Sequence, residues 1–145
     1  MPVVVKKDCT YVEEDFVKIE HIAIWCKNLE VLREFYETYF GVASNKKYVN
    51  KAEGFESYFL SFESGARLEL MCLHSIPKTK NDHYKQFTGL VHLAISVGSE
   101  SNVDELTNEL RKAGHEVIDG PQRTGDGYYE SVVLDPENNR IEITV

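Results

Sequence analysis

Apolar residues recur two apart at Ile22 and Ile24, Leu68 and Leu70, Leu93 and Ile95, and Ile141 and Ile143. Successive side chains of a strand point to opposite faces, so each pair marks one apolar strand face. Elsewhere the spacing becomes helical. Leu32, Phe35, Tyr36, Tyr39 and Phe40 share one helix face between Asn28, a capping residue, and Gly41, a stop. Val103, Leu106, Leu110 and Ala113 do the same ahead of Gly114. Around these lie an extended stretch at Val42–Val49, strands at Ser57–Phe62 and Arg67–Met71, and a turn at Ser64-Gly65. Further along come strands at Val91–Val97, Glu116–Ile118, Tyr128–Leu134 and Arg140–Thr144, with a turn over Asp135–Asn139. The order βαβββ thus occurs twice, which predicts an α+β fold.

The two runs are also alike in residues. His21-Ile22-Ala23-Ile24 returns 71 residues later as His92-Leu93-Ala94-Ile95. Arg67-Leu68-Glu69-Leu70 returns 73 residues later as Arg140-Ile141-Glu142-Ile143, and Gly41 and Gly54 return as Gly114 and Gly127 at that same offset. Internal repetition decides architecture before any local detail. It divides the chain into an arm at residues 1–16, a first module at 17–73, a linker at 74–89 and a second module at 90–145. Pro77, Lys, Asn and Asp in quick succession mark the linker.

Each module opens on a strand with one His and closes on a strand with one Glu. His21, Glu69, His92 and Glu142 all fall on the face opposite the apolar pairs. An antiparallel sheet with one wet face explains polar residues there. It does not explain the same residue type at the same register in both copies. A metal-binding cleft is therefore the reading preferred over a merely solvated face.

Composition narrows the classes. At 145 residues, 42% apolar and 28% charged, the chain reads as one ordinary globular domain, or two small halves sharing one core. A net charge of −8 with no basic stripe argues against nucleic acid as partner. No apolar run is long enough for a bilayer, and no secretory signal pattern opens the chain. Cys9, Cys26 and Cys72 are odd in number and widely spaced, which suits buried thiols in a reducing cytoplasm. His74, His83 and His115 have no counterpart in the other repeat and read as surface or loop histidines.

These motifs resemble the vicinal oxygen chelate superfamily, which includes glyoxalase I, methylmalonyl-CoA epimerase, extradiol dioxygenases and the fosfomycin and bleomycin resistance proteins. The likeness spans residues 17–145. It rests on the H-[IL]-A-I strands, the helix from Asn28 to Gly41 and the L-D-P-E-x-N-x-I-E-I close. It implies two βαβββ modules in an eight-stranded, incompletely closed barrel around one divalent metal ion, and a homodimer whose modules are either kept within a chain or exchanged. The implied ligands are His21, Glu69, His92 and Glu142, a set like that of glyoxalase I. Such a nitrogen and oxygen site suits Zn²⁺, Ni²⁺, Co²⁺, Fe²⁺ or Mn²⁺.

The implied activity is that of a lyase or isomerase. The metal chelates neighbouring oxygens of a small-molecule substrate and stabilises an enediolate, while Glu69 or Glu142 moves a proton. Positions that hold glutathione in bacterial glyoxalase I carry Trp25, Leu73 and Ser96 here, which points to a less charged or aromatic substrate. Trp25, Arg67, Met71, Tyr128 and Tyr129 are candidate substrate contacts, and Arg140 could also meet an anion. The competing readings are an extradiol-type dioxygenase or thiol transferase using His21, His92 and Glu142 alone, and a non-catalytic binding protein.

Overall fold

The computed structural model of the protein describes residues 16–145. The arm expected over residues 1–16 lies, Phe16 apart, outside the described residues, as does Cys9.

The first sheet is built from β1 (His21–Trp25), β2 (Ala43–Ser44), β3 (Tyr48–Asn50), β4 (Phe55–Ser61) and β5 (Arg67–Leu73), with α1 (Leu29–Phe40) crossing between β1 and β2. The second holds β6 (Leu93–Ser96), β7 (Val117–Arg123), β8 (Tyr129–Leu134) and β9 (Arg140–Thr144), with α2 (Glu100–Lys112) after β6. In each sheet the opening strand lies parallel to the closing one: β1 beside β5, and β6 beside β9. The orders are β1-β5-β4-β2, with β3 also on β4, and β6-β9-β8-β7. This is the expected α+β architecture of two matched units, the second βαβββ and the first with one further short strand. Among the described residues the two sheets share no strand ladder.

Helix α1 starts and stops where its chemistry dictates. The Asn28 side chain accepts the Val31 amide at 3.2 Å, and Gly41 ends the helix at φ 64°, its amide on the Glu37 carbonyl. Both helices lie against the apolar strand faces. Leu32, Tyr36, Leu60 and Leu70 join Val103, Leu110, Val133, Ile141 and Ile143 in one buried core. Thr107, inside α2, satisfies its hydroxyl on the Val103 carbonyl and on Ser131.

Contacts between the repeats are specific. Tyr36 on α1 donates its hydroxyl to Asp135 before β9, and Glu137 accepts the amides of Lys27 and Asn28, both at 2.7 Å. His115, expected as a surface or loop histidine, lies in the loop after α2 and also belongs here, half-buried. Its ring meets Phe35 and Tyr39 at centroid distances of 4.9 and 5.2 Å.

Two strand assignments change. The extended stretch after α1 divides into β2 and β3, both paired to β4. β7 is longer than Glu116–Ile118, because register shifts between Val117, Asp119 and Gln122 let it bulge and continue along β8. Gly120 makes that bulge possible. At φ +74° a Cβ there would stand 2.5 Å from the Glu130 carbonyl oxygen and 2.9 Å from the Ser131 Cα. Gly120→Ala should therefore cost ~2–4 kcal/mol, from positive φ and a backbone clash together. Urea unfolding measures it; a loss under ~1 kcal/mol would mean that β7 can lift from β8 freely.

Candidate metal centre

On the open face of the first sheet, strand alternation lines up His21, Ala23 and Trp25 of β1 beside Arg67, Glu69 and Met71 of β5, in register. His21 Nε2 stands 3.5 Å from Glu69 Oε2. The second sheet repeats the arrangement, with His92 Nε2 3.1 Å from Glu142 Oε2. The side chains of Glu69 and Glu142 are each 15% exposed and those of His21 and His92 40% and 35%, so both pairs open to solvent at the imidazole.

The other nitrogen of His21, Nδ1, is held by Glu20, and Phe59 meets the ring edge-on at 5.3 Å. Hydrogen bonds from His21 and Arg67 keep the Glu20 carboxyl below the ordinary range. A carboxylate on the far ring nitrogen is how metal-binding histidines are commonly oriented.

Each pair supplies one imidazole nitrogen and one carboxylate oxygen, donors that suit a borderline divalent cation. The donor chemistry thus fits a metal. Among the described residues, however, no group of three or more His, Cys, Asp or Glu side chains is placed to hold a metal ion. The four candidate ligands stand as two pairs, one per sheet.

Glu130 on β8 is a neighbour that the repeat did not reveal. Burial, and then its contact with Glu142, push its carboxyl up to about 6, with the charge of Asp126 adding and that of His92 opposing. Ser57 occupies the matching place in the first repeat, so no repeated residue type flagged it.

The substrate candidates are dispersed. Trp25 is 44% exposed, and Phe55 meets its ring edge-on at 6.1 Å. Met71 lies across from Trp25 in register. Arg67 pairs with Glu20 and covers the Phe59 ring at 4.1 Å. Arg140 Nη2 donates to the His83 carbonyl at 3.1 Å. Tyr128 stands exposed just ahead of β8. Tyr129 departs from the expectation, because it packs on the core side and donates its hydroxyl to Asp104 of α2 at 2.6 Å. Alternation turns it away from Glu130 and the open face.

Two cavities among the described residues bear on the site. One of about 420 Å³ opens at the start of α1, between Asn28, Lys47, Cys72 and His74. The other, about 450 Å³, lies where the 74–89 segment crosses the seam between β1 and β6, and Trp25, His83, His92 and Arg140 line it. The buried Cys26 thiol is pushed up to about 12, chiefly by burial, so it is no nucleophile. No helix of the described residues is long and apolar enough to cross a membrane.

Known proteins resemble this chain in sequence and fold. The Bacillus subtilis (strain 168) protein YqjT, itself uncharacterized, is 24% identical over 128 residues, covering 86% of this chain and 96% of its own. The trypanothione-dependent glyoxalase I of Leishmania major superposes with a TM-score of 0.70 at 22% identity, over 89% of this chain and 86% of that one. Glyoxalase I of Zea mays, as its V278E mutant, gives 0.71 at 19% identity, over 88% of this chain but 44% of that longer one. At such identities the superpositions establish the fold alone. Residues 18–143 match the family model of the Glyoxalase/Bleomycin resistance protein/Dioxygenase superfamily, and the chain belongs to that superfamily.

Proposed function

We propose that the protein is a metal-dependent lyase or isomerase of the glyoxalase I kind, acting as a homodimer on a small substrate that is not strictly a glutathione adduct. The observation that carries this reading is the pair of His–Glu contacts, 3.5 and 3.1 Å, at equivalent registers of the two sheets. Each is half of a four-ligand set. His21 and Glu69 of one protomer meet His92 and Glu142 of the partner subunit to complete it. A divalent ion held there, Zn²⁺, Ni²⁺, Co²⁺, Fe²⁺ or Mn²⁺, would supply Lewis-acid polarisation of two adjacent substrate oxygens.

The protein's own residues do the rest. Glu69 or Glu142 accepts a proton from the substrate carbon and returns it to the neighbouring atom, which needs no net redox change. Glu20 fixes the His21 ring so that Nε2 stays directed at Glu69. Trp25 and Leu73 offer apolar surface and no charge for the carboxylates of glutathione. The superfamily to which the chain belongs includes glyoxalases, which supports this reaction class.

Co-expression of Glu69→Ala and Glu142→Ala chains tests both parts. Alone, each homodimer should bind no stoichiometric metal. A mixed dimer with exchanged modules regains one intact site of its two, and with it metal and turnover. Sites contained within single chains would stay defective in the mixture and overturn the exchanged arrangement. Wild-type protein that takes up no metal points instead to a sequestering module. Oxygen consumption with a catechol, undiminished in Glu69→Gln, overturns the lyase assignment.

A further inference from the structure

The internal repeat supplies a comparison that isolates one unusual residue. Arg67 and Arg140 occupy the same place in the two copies. The charge of Arg67 is consumed, because Glu20 takes its Nε and Nη2 donors. The residue matching Glu20 in the second copy is Val91, which offers no carboxylate. Arg140 accordingly has no ion-pair partner among the described residues, and the donor contact it makes is to the neutral His83 carbonyl. A partly buried guanidinium carries five N–H donors, so most of its capacity remains for a ligand.

That guanidinium lines the seam cavity. The other charges lining it are Lys85 and Asp82, which sit 3.9 Å apart and offset each other, leaving Arg140 as the surplus cation. On the β1 side the same cavity is walled by Trp25, a residue that remains 44% exposed. A volume of about 450 Å³ is ample for a single-ring compound. A flat apolar wall and a forked cation in one cavity select a ligand with a ring at one end and a planar anion at the other.

We propose that the seam cavity binds an aromatic carboxylate, with the ring on Trp25 and the carboxylate on Arg140. His92 lines the same cavity, so a ligand there would reach the second sheet's His–Glu pair. If this ligand is the substrate, that identification rests on the lyase reading; the binding itself does not.

Trp25 is the sole tryptophan of the chain, so its fluorescence reports the site directly. The probe is phenylglyoxylate, titrated into chelator-treated full-length protein, so that metal binding plays no part. Saturable quenching is expected, weakening as salt rises. Acetophenone, which lacks the anion, and glyoxylate, which lacks the ring, should each bind at least ~10-fold more weakly in displacement. Arg140→Gln should weaken the probe roughly 10-fold or more, and Arg140→Lys less, with Arg111→Gln matching wild type. Circular dichroism and melting curves check that each variant is folded. No saturable quenching, salt-independent binding, acetophenone or glyoxylate binding as tightly as the probe, or a folded Arg140→Gln protein indistinguishable from wild type would each overturn the site. Metal uptake, measured separately on the same preparation, tells failure of this site from failure of the metal reading.

Discussion

One of the two substitutions Glu69→Gln and Glu142→Gln should lower turnover by about 10²–10⁴-fold at full metal occupancy, the usual share of a positioned general base. An amide keeps the shape of the carboxylate and one ligating oxygen but cannot carry the proton. The other substitution should act mainly on metal affinity. The check is kcat for methylglyoxal hemithioacetals of glutathione and of less charged thiols, with metal content measured on the same samples. If both variants keep wild-type turnover, neither glutamate moves the proton.

Glu142→Gln has a second consequence in the metal-free protein. Glu130 titrates at about 6 in the folded chain against an ordinary 4.5, and Glu142 contributes to that rise after burial. A carboxyl whose folded pKa is raised favours folding in its protonated form. Stability should therefore fall as pH climbs from about 4.5 to about 6 and then level off with respect to this group. Removing the charge of Glu142 leaves burial and the smaller, opposed effects of Asp126 and His92, so the fall should be smaller in the variant. Denaturant midpoints across that window read it.

Asp135→Ala should be among the most destabilising single changes, at ~3–5 kcal/mol. Asp135 is 3% exposed and receives the Tyr36 hydroxyl at 2.8 Å, the amides of Glu137 and Asn139, and the Asn139 side chain. Burial nevertheless holds its carboxyl above the ordinary value. Truncation strands four donors at once. It also loosens the turn that presents Glu137 to the amides of Lys27 and Asn28, one of the links between the repeats. Tyr36→Phe removes a single donor from the same carboxylate and should cost ~1.5–3 kcal/mol. Equilibrium unfolding at pH 7 gives both values. A loss below ~1 kcal/mol for Asp135→Ala would mean that water replaces the lost bonds and that the two repeats are joined mainly by the apolar core.

Much of this was legible in the residues. Asn28 and Gly41 bound α1 because capping and left-handed backbone are local chemistry, written at single positions. The period-two pattern put Ile22, Leu68, Leu93 and Ile141 on the core side, and so their neighbours His21, Glu69, His92 and Glu142 on the other. Repetition supplied the equivalence of the two His–Glu pairs.

Tertiary structure alone decided the rest. Periodicity says which face a residue occupies, not which distant side chain it meets there. Glu20 reaches Arg67 while Val91 leaves Arg140 without such a partner, a difference between strand neighbours. Glu130 meets Glu142 across the β8–β9 ladder, Tyr129 turns to Asp104, and His115 wedges against Phe35 from a helix end many residues away. The division of the four candidate ligands into two pairs has the same origin. Register within a sheet follows from local hydrogen bonding, whereas how two sheets face each other depends on packing between segments that no short pattern encodes.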